Sequence, residues 1–209
     1  KDITLVGVKT RATGVPTVTG NKKTRVLQLA YDVKVTLKNL VIRDGRTAEL
    51  QGAPFGGAAG ILAPADLTLI NVTLRDNKVT SAAGFGGAIW TNPITDVATL
   101  TIVGKSRLFG NSAANGGAIS FGGDVTIGGT TRIHHNTADG DGGAIRVMGT
   151  LLLKGSARID HNTAGGAGGG IAAVNNLDLL GVTEQAVVEL NTAGGNGGGI
   201  SGDLALLTD

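Results

Sequence analysis

Pairs of aliphatic residues separated by a single residue recur along the chain: Val35/Leu37, Leu67/Leu69, Leu100/Ile102, Val125/Ile127, Leu151/Leu153, Leu177/Leu179 and Leu204/Leu206. A two-residue period turns alternate side chains to opposite faces, so each pair predicts a short β-strand with one face buried. A second aliphatic position, at Ile42, Leu74, Leu108, Ile133, Ile159 and Val188, stands three residues before a small marker residue. That marker is Gly45 once, and then Asn77, Asn111, Asn136, Asn162 and Asn191. A third element runs through three small residues into Ile: Ala58-Ala59-Gly60-Ile61, Gly86-Gly87-Ala88-Ile89, Gly116-Gly117-Ala118-Ile119, Gly142-Gly143-Ala144-Ile145, Gly168-Gly169-Gly170-Ile171 and Gly197-Gly198-Gly199-Ile200. Successive Ile residues in this element are 28, 30, 26, 26 and 29 apart.

A fixed period of this length marks a repeat architecture. No helical period intervenes, so each repeat holds three short strands joined by Gly- or Asn-bearing turns. Parallel strands in one sheet need a crossover; here the crossover from a strand to its copy is the rest of its own repeat. The expectation is an all-β, parallel β-helix of about seven coils, each of 26–30 residues. Coils stacked at the inter-strand spacing of about 4.8 Å give a rod roughly 35 Å long with aliphatic columns inside. The Asn positions suit tight or left-handed turns, and stacked Asn amides can hydrogen-bond from coil to coil.

Composition sharpens this picture. Gly makes up 36 of 209 residues, against roughly 7% in ordinary chains, but it lacks a three-residue period and Pro numbers only 4, which excludes collagen. A hydrophobic share of 41% excludes a disordered chain. No apolar run approaches the roughly 18 residues of a membrane helix, so no membrane insertion of this segment is expected. The absence of Cys excludes a disulfide framework and a thiolate metal site. A net charge of +2 gives no electrostatic case for nucleic acid. The abrupt ends, Lys1-Asp2-Ile3 and Leu206-Leu207-Thr208-Asp209, suggest one β-helix domain over 1–209 within a longer protein, whose flanking domains are then expected partners.

The run Asn111-Ser112-Ala113-Ala114-Asn115-Gly116-Gly117-Ala118-Ile119, and Asn136-Thr137-Ala138 leading to Gly142-Gly143-Ala144-Ile145, resemble the repeats of bacterial polymorphic outer-membrane proteins, which pair a GGAI-type tetrapeptide with FxxN. The Phe of that second motif is Leu74, Leu108, Ile133, Ile159 or Val188 here. The resemblance covers about residues 40–200. It implies a right-handed parallel β-helix of the pectin-lyase-like class, displayed outside the bacterial cell as an autotransporter passenger and serving as an adhesin.

Register separates inward from outward positions. Four residues before each marker stand Val41, Thr73, Arg107, Arg132, Arg158 and Val187; two before stand Arg43, Arg75, Phe109, His134, Asp160 and Glu189. These are predicted to point outward, where Arg107, Arg132 and Arg158 stack beside His134, Asp160 and Glu189. The face is a candidate for glycan binding. Asp160 and Glu189 with Arg132 and Arg158 are the candidate catalytic groups of a polysaccharide lyase or hydrolase, since acid and base roles need more than one carboxyl group. His135 and His161, one residue before Asn, are predicted to stack across adjacent coils as candidate metal ligands. Asp139-Gly140-Asp141-Gly142 is weakly similar to a Ca²⁺ loop, but the matching turns at Gly165-Gly166 and Gly194-Gly195 lack the Asp pattern, and no cofactor is expected. An outward Thr column, Thr36, Thr68, Thr101 and Thr126, reads as sheet stabilisation.

Extra residues interrupt the coils at 46–60, 78–86 and 91–98, with Phe55, Phe85 and Trp90 in or beside them. Loops on a rigid rod collect binding residues, and an outward Trp90 suits a sugar ring or a protein contact. The first expectation is therefore a non-catalytic extracellular or cell-surface segment for adhesion to, or recognition of, a surface protein or glycan of a host or neighbouring cell. A polysaccharide-active enzyme using the Arg/His/Asp face is the second, and a structural stalk the third.

Overall fold

The computed structural model describes residues 1–10, 14–48, 57–92, 98–174, 177–178, 185–202 and 204–205. Every strand in it pairs in parallel with its copy one coil away. The strands form two six-stranded and two seven-stranded sheets, with a two-stranded sheet near the C-terminal end. Together they make an all-β parallel β-helix of about six turns. This is slightly fewer than the seven expected, and Leu179 and Leu206 of the repeat lie outside the described residues.

From the second coil on, each coil carries four strands, not three. One coil reads Val125–Ile127, Arg132–His134, Thr137–Ala138 and Ile145–Val147. The fourth strand, missing from the expectation and placed third in chain order, is Thr137–Ala138, paired with Ser112–Ala113 on one side and Thr163–Ala164 on the other. It is too short to alternate visibly. Its inward side chains are small, as at Ala113, Ala138 and Ala164.

The core consists of columns with one aliphatic residue per coil. Leu67, Leu100, Val125 and Leu151 form one, Leu74, Leu108, Ile133 and Ile159 a second, and Ile61, Ile89, Ile119, Ile145 and Ile171 a third, all essentially inaccessible to water. Each such residue contributes on the order of 2 kcal/mol through burial. Phe121 also lies in this core, two residues beyond Ile119.

The glycines let the small-residue element pack closely against the next coil. A Cβ on Gly143 would stand 2.2 Å from the carbonyl oxygen of Gly169 and 2.6 Å from the backbone of Thr163. The small-residue element thus lies directly on the fourth strand of the next coil, with no space for a side chain. Its first residue is left-handed, as in Gly142 at φ 70°, and Ala58 holds this conformation at φ 42° in the first repeat, where an L residue is strained.

The Asn positions turn the corner between the second and fourth strands, but they do not supply the left-handed residue. That conformation belongs to the residue before each marker: Asp44, Asp76, Gly110, His135, His161 and Leu190. The Asn side chains instead point inward and form a ladder. Asn136 Nδ2 donates to Asn162 Oδ1 at 2.9 Å, to the Leu108 carbonyl at 3.0 Å and to the His134 carbonyl at 3.1 Å. Its Oδ1 accepts from both the backbone N–H and the Nδ2 of Asn111, each at 3.0 Å. The same pattern joins Asn77 to Asn111 and Asn162 to Asn191, and at the end of the ladder the Gly45 N–H donates to Asn77 Oδ1 at 2.9 Å.

Replacing Asn136 by Ala strands at least two buried polar groups, each worth about 1–3 kcal/mol. We expect Asn136→Ala to lower the unfolding free energy by about 3 kcal/mol, read as a lower midpoint in urea denaturation. Thr137→Ala, on the outer side of the adjacent position, is expected to change it by under about 0.5 kcal/mol.

Candidate functional site

The second strands of successive coils pair in register, so their outward residues form two adjoining columns. Arg107, Arg132 and Arg158 stand opposite one another, as do Phe109, His134, Asp160 and Glu189. The predicted stack is present, but its centre is not solvated. His134 is 7% exposed and Asp160 fully buried: Arg132, Arg158 and His161 close over Asp160, and Phe109 stacks on His134. The column leaves the core as expected, but two of its members are covered by their neighbours.

Asp160 is the hub. Arg132 grips it with two parallel bonds, Nε to Oδ1 at 2.7 Å and Nη2 to Oδ2 at 2.5 Å. His161 places Nδ1 2.7 Å from Oδ2. Arg158 brings Nε to 3.2 Å from Oδ1, and its far end forms an ion pair with Glu189. Burial alone would raise the Asp160 carboxyl. The hydrogen bonds from Arg132 and His161 and the two guanidinium charges outweigh it and hold the group well below the usual carboxylate range. Asp160 is therefore a fixed anion that neutralises two stacked arginines, whose mutual repulsion would otherwise oppose the register.

His134 continues the column on the other side. Its ring stacks on Phe109 at 5.2 Å with 11° between planes, and Arg107 lies over Phe109 at 5.6 Å. Burial, reinforced by the charges of Arg132 and His135, lowers its pKa to about 4. Its Nδ1 lies 2.8 Å from Nδ1 of His135, while its buried Nε2 has no partner. The tautomer that strands no N–H places the proton on Nδ1, donating to His135.

His135 and His161 do stack across the coils, at 5.2 Å with 5° between planes. Each has Nδ1 occupied, by His134 and by Asp160 respectively. Among the described residues no group of three or more His, Asp or Glu side chains is arranged to hold a metal ion.

The aromatic candidates sit elsewhere. Phe55 lies outside the described residues. Trp90 does not stand free: it is half-buried, and a Cβ on Gly57 would come within 2.3 Å of its ring. Phe85 forms single backbone bridges to Gly57 and Asn115, and the Arg146 guanidinium covers its ring at 5.4 Å. Arg25, which no pattern in the sequence singles out, ties this platform down. Its Nε and Nη2 donate at 2.9 Å to the carbonyls of Ala58 and Gly57, and burial lowers its pKa. The structure thus separates the predicted ligand-binding residues into a charged column and an aromatic platform.

No known protein family, curated protein or solved structure matches the chain.

Two outcomes follow from the hub. Asp160→Ala takes the shared counter-ion from Arg132 and Arg158, whose side chains are themselves partly exposed, and is expected to cost about 1.5–3 kcal/mol, whereas Glu189→Ala, removing an exposed pair, is expected to cost under about 1 kcal/mol; urea denaturation at neutral pH compares them. Acid acts through His134. The unfolded chain takes a proton near pH 6.5 and the folded chain only near 4, so stability falls as pH drops between those values, by on the order of 3 kcal/mol. Asp160, whose folded pKa is depressed, adds a further loss below the ordinary carboxylate pKa. His134→Phe, extending the Phe109 stack, is expected to flatten the stability profile from pH 6.5 to 4 while keeping the loss at lower pH.

Proposed function

We propose that this β-helix is a non-catalytic recognition segment of an extracellular or cell-surface protein, of the autotransporter-passenger type, that contacts a protein or glycan on a host or neighbouring cell. The observation that carries this reading is the state of Asp160. A general acid or base must exchange a proton near the working pH. Asp160 is buried, holds Arg132, Arg158 and His161, and stays ionised. Glu189 is spent on Arg158. The charged column therefore supports the rod rather than a reaction.

Contact falls instead to the platform at Phe85 and Trp90. Both rings are half-exposed and are held by backbone and by Arg146. Such pre-positioned aromatic faces lose little entropy on binding a sugar ring or an apolar protein side chain.

Polysaccharide lyase or hydrolase chemistry at the charged face is the second reading, and one observation favours it. The buried Asp160 holds Nδ1 of His161, whose side chain is 43% exposed, leaving Nε2 placed as a proton acceptor.

A glycan array, paired with binding to intact cells, tests the first reading. We expect binding that weakens about tenfold in Phe85→Ala and in Trp90→Ala, with melting temperature retained in Phe85→Ala. Equal binding by both variants would remove the platform as the contact. Release of new chain ends from a polysaccharide, abolished in His161→Ala, would favour the second reading instead.

A further inference from the structure

A cleft of about 320 Å³ lies toward the N-terminal end of the rod, lined by Lys22, Asp44, Gly45, Arg46, Asp76 and Lys78, none of which belongs to the charged column or the aromatic platform above. Its size falls at the lower end of ligand-binding clefts, roughly 300–1,000 Å³. The coil geometry assembles it. Asp44 and Asp76 are the left-handed corner residues of adjacent coils, at φ 55° and 58°, and so project from the ridge between two sheets. Arg46 and Lys78 stand in register on the sheet beyond that ridge. Lys22, itself left-handed at φ 59°, is seated on the ridge by its N–H, which donates to the Asp44 carbonyl at 2.7 Å.

The charges in this cleft are not matched. Arg43 and Arg75, in register on the preceding sheet, pair with Asp44 and Asp76 and hold those carboxylates in place. Among the described residues, Lys22, Arg46 and Lys78 form no ion pair. Like charges directly opposite on neighbouring strands destabilise a sheet, and the later coils avoid them: the Arg46/Lys78 column continues as Ser112, Thr137 and Thr163. Where Arg132 and Arg158 stack, Asp160 lies between them. Here, among the described residues, no carboxylate pairs with Arg46 or Lys78.

We propose that the cleft binds an acidic sugar unit, its carboxylate or sulfate held by Arg46, Lys78 and Lys22 and its hydroxyls donating to Asp44 and Asp76. The alternation of cations with anchored carboxylates selects this chemistry. A simple anion has no use for the carboxylates, whereas a polyhydroxylated anion offers donors to them. A nucleic acid would be repelled by the two aspartates, and no aromatic side chain lines the cleft for base stacking. The inference rests on the recognition reading and gives it a ligand class at a second place on the rod.

Calorimetric titration with trigalacturonate, a heparin hexasaccharide, maltotriose and a single-stranded oligonucleotide tests it. We expect at least one acidic oligosaccharide to bind and maltotriose not to. A preference for trigalacturonate assigns a carboxylate ligand, and a preference for heparin a sulfate ligand. The Arg46→Gln/Lys78→Gln double variant, at exposed positions, is expected to weaken binding at least about tenfold with an unchanged melting temperature. Asp76→Asn separates sugar recognition from simple charge attraction: it weakens binding if the carboxylate accepts hydroxyls and tightens it if the cleft is only a cationic patch. Tighter binding in Asp76→Asn, unchanged binding in the double variant, equal binding of the oligonucleotide, or no binding of either acidic sugar overturns the proposal. If the acidic sugars fail while array ligands dependent on Phe85 bind, the cleft inference alone falls; if no glycan or cell surface binds at all, the recognition reading falls with it.

Discussion

Four successive coils of this protein hang on one buried amide apiece, at Asn77, Asn111, Asn136 and Asn162. An Asn at the corner between the second and fourth strands accepts two hydrogen bonds from the coil before it and donates onward to the coil after it. A buried amide with all its groups satisfied is stable only in one position. Displacing a coil by a single residue would leave the amide unpaired in the core and turn every aliphatic column outward. The ladder therefore fixes register for the whole rod. It also dictates the residues around it: a left-handed residue must precede each Asn, and a side-chain-free stretch must cross the next coil's fourth strand.

Fixed register has consequences on the outside as well. Whatever residue type repeats at an outward position becomes a stack at strand spacing. Stacked arginines in one column would repel, and the fold tolerates Arg132 and Arg158 because Asp160 in the neighbouring column is drawn in as their common counter-ion, while Arg107 lies over Phe109. His134 is buried by the same crowding, between Phe109 and the Arg132–Asp160 pair. The burial of His134 and the pairing of Asp160 have this single origin. Arg46 and Lys78 obey the same geometry, but among the described residues neither forms an ion pair, and that difference between two otherwise similar stacks is the ground for proposing an external anion at the N-terminal cleft.

The columns of Leu, Ile and Asn were legible from spacing alone because each repeats in every coil and because a burial pattern of period two has no helical interpretation. The fourth strand was not. Thr137–Ala138 is two residues long and its inward residue is Ala, so it carries no alternation to read, although the recurrent Thr-Ala after Asn136, Asn162 and Asn191 was present as a signal. The stacking of His135 on His161, and of the arginines, followed directly from register. The burial of Asp160 did not, since its cover comes from side chains 28 residues earlier and from its neighbours in sequence. Trp90 was expected to face solvent by alternation, and it does leave the core, but Gly57 of the preceding repeat closes over it.

By itself the sequence determined the coil: its period, its parallel pairing, its aliphatic columns and its Asn corners, because these depend on positions within one repeat and recur until chance is excluded. Only the tertiary structure decided which outward polar groups are buried, paired or left uncompensated. That outcome depends on which side chains meet across adjacent coils, and on how far each reaches over its neighbour. Such contacts occur once each, between residues about one coil apart in the chain, and no periodicity records them.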